Sequence, residues 1–207
     1  MVEKHARTGW IRRALVGTTM AAAALLSGCA SVYVDTATKD VPSAEIKAPA
    51  KPVPVRLVFE FQTKGAPNAA ATNMLKAQVA EQIKGSGLFS GLSEQAGPDV
   101  AMLNVTLNNV PITQDAAAQG FVTGLTFGLA GSAVTDGYIC TVSYLPANSA
   151  TAVVKTARHA IHTVLGNAPA PAGAVKADSG EAAARTMTKQ IIANALRDLS
   201  RDPAFSN

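Results

Sequence analysis

The chain has 207 residues, of which 48% are hydrophobic and only 15% charged; that is enough apolar content for one sizeable core and too little length for two comfortable domains. The net charge of +4 sits mostly at the front, where residues 1–28 carry Lys4, Arg7, Arg12 and Arg13 against Glu3, leaving 14 basic and 13 acidic residues in 29–207. That near-neutral remainder has no basic run interleaved with aromatics, which excludes the electrostatic footprint of a nucleic-acid binder.

The first element in chain order is a basic stretch ending at Arg12-Arg13, followed by thirteen uncharged, mostly apolar residues from Ala14 to Leu26. A permanent membrane span needs about 20 such residues, so this run has the length of a signal-peptide core instead. It ends directly on Leu26-Ser27-Gly28-Cys29, a leucine, two small residues and a cysteine, which resembles the lipobox of bacterial lipoproteins. The resemblance implies that signal peptidase II recognises Leu26, Ser27 and Gly28 and cuts before Cys29. It also implies that a diacylglycerol is joined to the Cys29 sulfur and that the new amino group is acylated. Three acyl chains hold a protein to a bilayer effectively permanently, whereas one does so only marginally. Residue 30 is alanine and not aspartate, which in enteric-type lipoproteins resembles the signal for delivery to the outer membrane, facing the periplasm; retention on the periplasmic face of the inner membrane is the alternative.

Residues 29–52 show no hydrophobic periodicity and contain Pro42, Pro49 and Pro52, so composition predicts a lipidated flexible tether. The folded domain is expected over 53–203. Its first strand is marked by Val53, Val55, Leu57, Phe59 and Phe61 at every second position. After a turn around Lys64–Asn68, Leu75, Val79 and Ile83 recur every four residues and predict an amphipathic helix that Gly85 ends. A second strand carries Leu103, Val105 and Leu107 on one face. Tyr138, Cys140, Val142 and Tyr144 begin an antiparallel hairpin that returns over Thr151–Leu165. A last helix is predicted from Gly180 to Arg201, capped by Asp178 and Glu181 and stopped by Asp202-Pro203.

This order of strand, helix, several strands and helix predicts an α+β fold, with an antiparallel sheet of about four strands and two helices packed on one face. The layout loosely resembles small periplasmic lipoproteins that assist envelope assembly or transport, among them lipopolysaccharide-transport and curli-secretion lipoproteins. That resemblance rests on element order and carries no site residue.

Between Asp115 and Asp136 lie twenty residues without a formal charge, spaced by Gly120, Gly124, Gly128 and Gly131. Three readings of the segment at about 119–135 stay open: a buried hairpin or loop, a surface touching lipid or a partner through Phe121, Leu125, Phe127 and Leu129, and a membrane span, which the glycines and polar residues disfavour.

The remaining chemistry is sparse. His159 and His162 fall on opposite faces of a strand, and with no neighbouring Cys, Asp or Glu to complete a ligand set they read as surface or edge histidines and not as metal ligands. Cys140 loses any disulfide partner once Cys29 is acylated and reads as a small buried hydrophobe. No nucleophile elbow, phosphate loop or metal motif is present, so no catalytic residue, cofactor or metal is expected. The function expected is that of a membrane-anchored, periplasm-facing lipoprotein acting as a non-catalytic interaction or accessory component of the envelope, with an envelope protein as partner. The alternative is a binding module for a small apolar ligand or lipid.

Overall fold

A computed structural model describes residues 30–112, 133–166 and 168–206. Eight strands form one mixed sheet: β1 (Ser31–Asp35), β2 (Pro54–Thr63), β3 (Ala66–Pro67), β4 (Gly91–Leu92), β5 (Ala101–Pro111), β6 (Ala133–Leu145), β7 (Val153–Val164) and β8 (Ala174–Ala177). Three helices accompany them: α1 (Ala69–Gly85), α2 (Gly180–Ser200) and the short α3 (Pro203–Ser206). Across the sheet the order is β3-β2-β5-β6-β7-β1-β8, with β4 paired to β2 alone.

The expected antiparallel sheet of about four strands is therefore corrected to a mixed sheet of eight. Two physical reasons account for the difference. Strands β3, β4 and β8 have two, two and four residues, too few for a period of two to stand out. In addition, β2 and β5 run parallel, from Val55 against Ala101 to Thr63 against Asn109. With α1 lying between them in the chain, the connection returns to the same end of the sheet, as parallel pairing requires.

Each long element forms where its apolar spacing and end signals coincide. Lys64 and Gly65 both have positive φ, the backbone of a two-residue hairpin turn, which leads β2 into β3. Asn68 then caps α1, its side chain accepting from the Ala71 N–H at 3.0 Å, and Leu75, Val79 and Ile83 on that helix are fully buried. At the start of α2 the cap is Ser179, whose hydroxyl accepts from the Ala182 N–H at 3.0 Å, in place of the Asp178 expected; both residue types satisfy an orphan donor at this position. The helix buries Met187, Ile191, Ile192, Ala195, Leu196 and Leu199.

Register puts Val55 and Phe61 of β2, Leu103, Val105 and Leu107 of β5, Cys140 and Val142 of β6, Ala157 and Ile161 of β7 and Val34 of β1 on one face of the sheet. These residues form one core with the buried faces of α1 and α2. Phe205 of α3 closes its end, with its ring 6.0 Å from Phe89 and 4.9 Å from Tyr144.

Strand β1 lies inside the stretch that composition assigned to the tether. It pairs with β7 on one side and β8 on the other, so its backbone groups are satisfied within the sheet and not by water. The chain that follows is bound as well. The Asn194 side chain donates to the Lys39 carbonyl at 2.9 Å, Lys189 meets Asp40 at 2.9 Å, Ser200 accepts from the Lys47 N–H at 3.1 Å, and Arg201 meets Glu45 at 3.1 Å. Residues 36–53 thus run along α2 as a strap and reach the start of β2.

Leu107→Ala, at a fully buried position, is expected to cost about 3 kcal/mol in urea unfolding, because it removes transfer energy and leaves a cavity. Val154→Ala, on an exposed strand position, is expected to stay within about 0.5 kcal/mol of the parent. Equal losses at the two positions would contradict the assignment of the core face.

Candidate functional site

Of the residues singled out by sequence, Leu26, Ser27, Gly28 and Cys29 lie outside the described residues, as do Phe121, Leu125, Phe127 and Leu129. Their flanks are described. Strand β1 begins two residues after Cys29. Pro111 of β5 stands opposite Asp136 of β6, and Ala133 of β6 stands opposite Val164 of β7, which in turn stands opposite Ser31. The apolar segment at about 119–135 therefore leaves and re-enters the sheet at the end where β1 starts, and its last residues, Ala133–Thr135, belong to β6.

That same region holds a buried polar cluster. His162 and Asp35 are 0% and 1% exposed and come from adjacent strands, 127 residues apart in the chain. His162 Nε2 lies 3.1 Å from Asp35 Oδ2, and Nδ1 lies 2.9 Å from Thr135 Oγ1. With the proton on Nε2 donated to the carboxylate, the Thr135 hydroxyl donates to Nδ1; the tautomer follows from the partners. Asp35 Oδ1 accepts from the Ala37 N–H at 2.7 Å. The cluster ties β6, β7 and β1 together through side chains, on the sheet face opposite α1 and α2.

On the helix side of β7 stands His159, also fully buried. Its Nδ1 accepts from the Ala160 N–H at 2.8 Å, so Nε2 carries the proton and donates to Gln190 Oε1 at 2.8 Å. Gln190 passes the chain on, donating to Asp40 at 3.3 Å. Burial holds the His159 pKa below its ordinary value, against the opposing effect of the bond to Gln190 and of the Ala160 carbonyl oxygen 3.2 Å from Nδ1. The two histidines do occupy opposite faces of a strand, but the surface or edge position expected for them is corrected: β7 is an inner strand between β6 and β1. Among the described residues no group of three His, Cys, Asp or Glu side chains is placed to hold a metal ion.

The order hydroxyl, imidazole, carboxylate is that of an activated nucleophile. Acyl-transfer chemistry also needs donors aimed at a developing oxyanion. Thr135 sits within the β6–β7 ladder, opposite His162, and the ring and carboxylate beside it are buried, so the bonds seen here serve to hold three strands in register. Cys140, fully buried in the core, has its thiol pushed up to about 12 by burial, which removes thiolate character at neutral pH.

An open groove between α1 and α2 is lined by Gln78, Gln82, Arg185, Thr186 and Lys189. Gln78 and Gln82 donate to the Arg185 and Lys189 carbonyls at 2.8 Å and 2.7 Å. Arg185 adds a bond to the Gln78 side chain at 3.4 Å, so these three side chains bridge the two helices. Among the described residues, no helix is long and apolar enough to cross a membrane.

Sequence reasoning missed Asp35 because Pro, Ala and Lys dominate its neighbourhood, although Val32 and Val34 already alternate with Tyr33 and Asp35. Burial of the histidines was signalled by Ala160, Ile161 and Val164 beside them.

No family model matches this chain, and no curated protein matches it. Among solved structures it is similar to a single-residue variant of PelC from Paraburkholderia phytofirmans, a dodecamer, at 13% identity over 82% of this chain and 98% of that one, with a TM-score of 0.36. It is also similar to a neuraminyllactose-binding hemagglutinin homolog from Helicobacter pylori, at 11% identity over 76% of this chain and 88% of that one, with a TM-score of 0.32. Similarity at this level transfers neither function nor assembly.

Asp35→Ala leaves the buried His162 Nε2–H without its acceptor and is expected to cost about 1–3 kcal/mol in urea unfolding; Asp35→Asn, which keeps an acceptor, is expected to cost less. A second expectation concerns pH. Because the folded-state pKa of His159 lies below its unfolded value, the unfolded chain binds more protons as pH falls, and stability is lost as pH drops through about 6.5. His159→Gln is expected to flatten the fall in stability between about pH 7.5 and about pH 5.5. An unchanged pH slope would contradict the burial of this ring.

Proposed function

We propose that this chain is a bacterial lipoprotein, acylated on Cys29 and facing the periplasm, that serves the cell envelope as a non-catalytic interaction or accessory component. The observation that carries this reading is the sequence Leu26-Ser27-Gly28-Cys29 placed directly at the end of a thirteen-residue apolar run behind Arg12-Arg13. Ala30 after the acylated cysteine favours the outer membrane. A non-catalytic reading is supported by the burial of Cys140, by His162 being engaged in joining strands β6, β7 and β1, and by His159 being bonded to Gln190 of α2. A partner or lipid contact is assigned to Phe121, Leu125, Phe127 and Leu129, in the uncharged segment.

Mass spectrometry of the protein purified from membranes is expected to find an amino terminus at Cys29 bearing a diacylglyceryl group and an N-linked acyl chain. Cys29→Ser is expected to accumulate unprocessed. Recovery of a mature, soluble Cys29→Ser protein of the same mass as the unlipidated parent chain would overturn the proposal. For the contact, Leu125→Asp or Phe127→Asp is expected to abolish crosslinking to an envelope partner in intact cells while leaving the unfolding midpoint unchanged. Loss of the fold in these variants would place the segment in the core instead.

A further inference from the structure

We infer that the domain has no free tether and is seated on the bilayer by one corner of its sheet, formed by the start of β1, the end of β7 and the start of β6, with Val134 and Leu165 in the lipid headgroup layer. This inference rests on the acylation of Cys29 proposed above and goes beyond it by fixing which surface meets the membrane.

Covalent reach limits how far the sheet can stand from the lipid. Only Ala30 separates Cys29 from β1, whose first residue, Ser31, is already in register with Val164. Two residues span at most about 7 Å. The headgroup layer is itself about 5–8 Å thick on each side of the hydrocarbon, and the glyceryl group on Cys29 lies at its inner boundary. Ser31 therefore stands at or within the outer limit of the headgroups. Strand neighbours follow at about 4.8 Å intervals, and Ser31, Val164 and Ala133 lie side by side in one row. Whatever holds Ser31 at the surface holds this row there too.

The side chains at the corner fit that position. Val134 and Leu165, each adjacent in sequence to a member of the row, are large apolar groups that are 56% and 52% exposed. Strand β6 runs past the last residue of β5 here, so among the described residues Ala133–Thr135 have no β5 partner. The corner is also stiff, because Asp35 and Thr135 both bond His162. Exposed Asp178 and Glu181 stand on the α2 side of the same end, which limits the contact to seating among wet headgroups and argues against insertion into hydrocarbon.

The test uses the full acylated protein in vesicles of phosphatidylethanolamine and phosphatidylglycerol that contain headgroup-spin-labelled lipid. A nitrobenzoxadiazole label is placed at Val134→Cys, at Leu165→Cys or at Asn148→Cys in the β6–β7 turn, at the far end of the sheet; Cys140 is buried and Cys29 is blocked by acylation. Severalfold stronger quenching is expected at 134 and 165 than at 148. Inserting a Gly-Ser spacer of about twelve residues after Ala30, with an r.m.s. reach of roughly 20 Å, is expected to abolish that difference. Equal quenching at the three positions, or a difference that survives the spacer, in protein whose acylation is verified by mass would overturn the seating alone. Absence of acylation on Cys29 would overturn the lipoprotein reading and the seating with it.

Discussion

Strand β1 is only five residues long, yet three parts of the molecule depend on where it lies. It is the sheet partner of β8, which pairs with nothing else in the sheet order, and β8 leads directly into α2, the helix that covers β7, β6 and β1. The contact that fixes β1 is the buried Asp35–His162 pair with Thr135 at its far side. Burying a charge-bearing pair is costly, and removing one member is costlier still, because the other is left desolvated without its partner. An arrangement of this kind specifies register: a slip of β1 by one residue would turn Asp35 into the apolar core and Val34 out of it. The strap at 36–53 then carries the chain across α2, where its polar contacts with Gln190, Asn194 and Ser200 continue the attachment that β1 begins.

Much of this is legible in the sequence wherever an element is long and its period is clean. Leu75, Val79 and Ile83 mark α1; Leu103, Val105 and Leu107 mark β5; Cys140, Val142 and Tyr144 mark β6, all with the correct inward face. What escapes is pairing and brevity. The alternation in β2 and β5 is the same whether the strands run parallel or antiparallel, so the parallel pair is not written in either strand alone. Strands of two to four residues cannot show a period. The buried cluster joins residues 127 positions apart, and Asp35 sits in a stretch whose prolines and alanines resemble a linker. Its short alternation, Val32 and Val34 against Tyr33 and Asp35, is the signal that outweighs that composition once the neighbouring strands are in place.

Burial lowers the His159 pKa and raises those of Cys140 and Tyr138, desolvation being the largest cause in each. Perturbation of this origin arises in structural interiors as well as at reacting centres. With Cys29 acylated, the sheet would stand on its β1 corner and present the opposite end, closed by Phe89, Tyr144 and Phe205, to the periplasm. A partner would then approach a rigid body held close to the bilayer, and would not need to capture a domain moving on a long leash.

Everything turns on whether the chain just after Cys29 is sheet or linker, and amide hydrogen exchange on the acylated protein reads that directly. Amides of Val32, Tyr33 and Val34 in ladder bonds should exchange on the timescale of those in β7, through the same opening events. Exchange of these amides at the rate of an unstructured peptide, while β7 stays protected, would contradict the account.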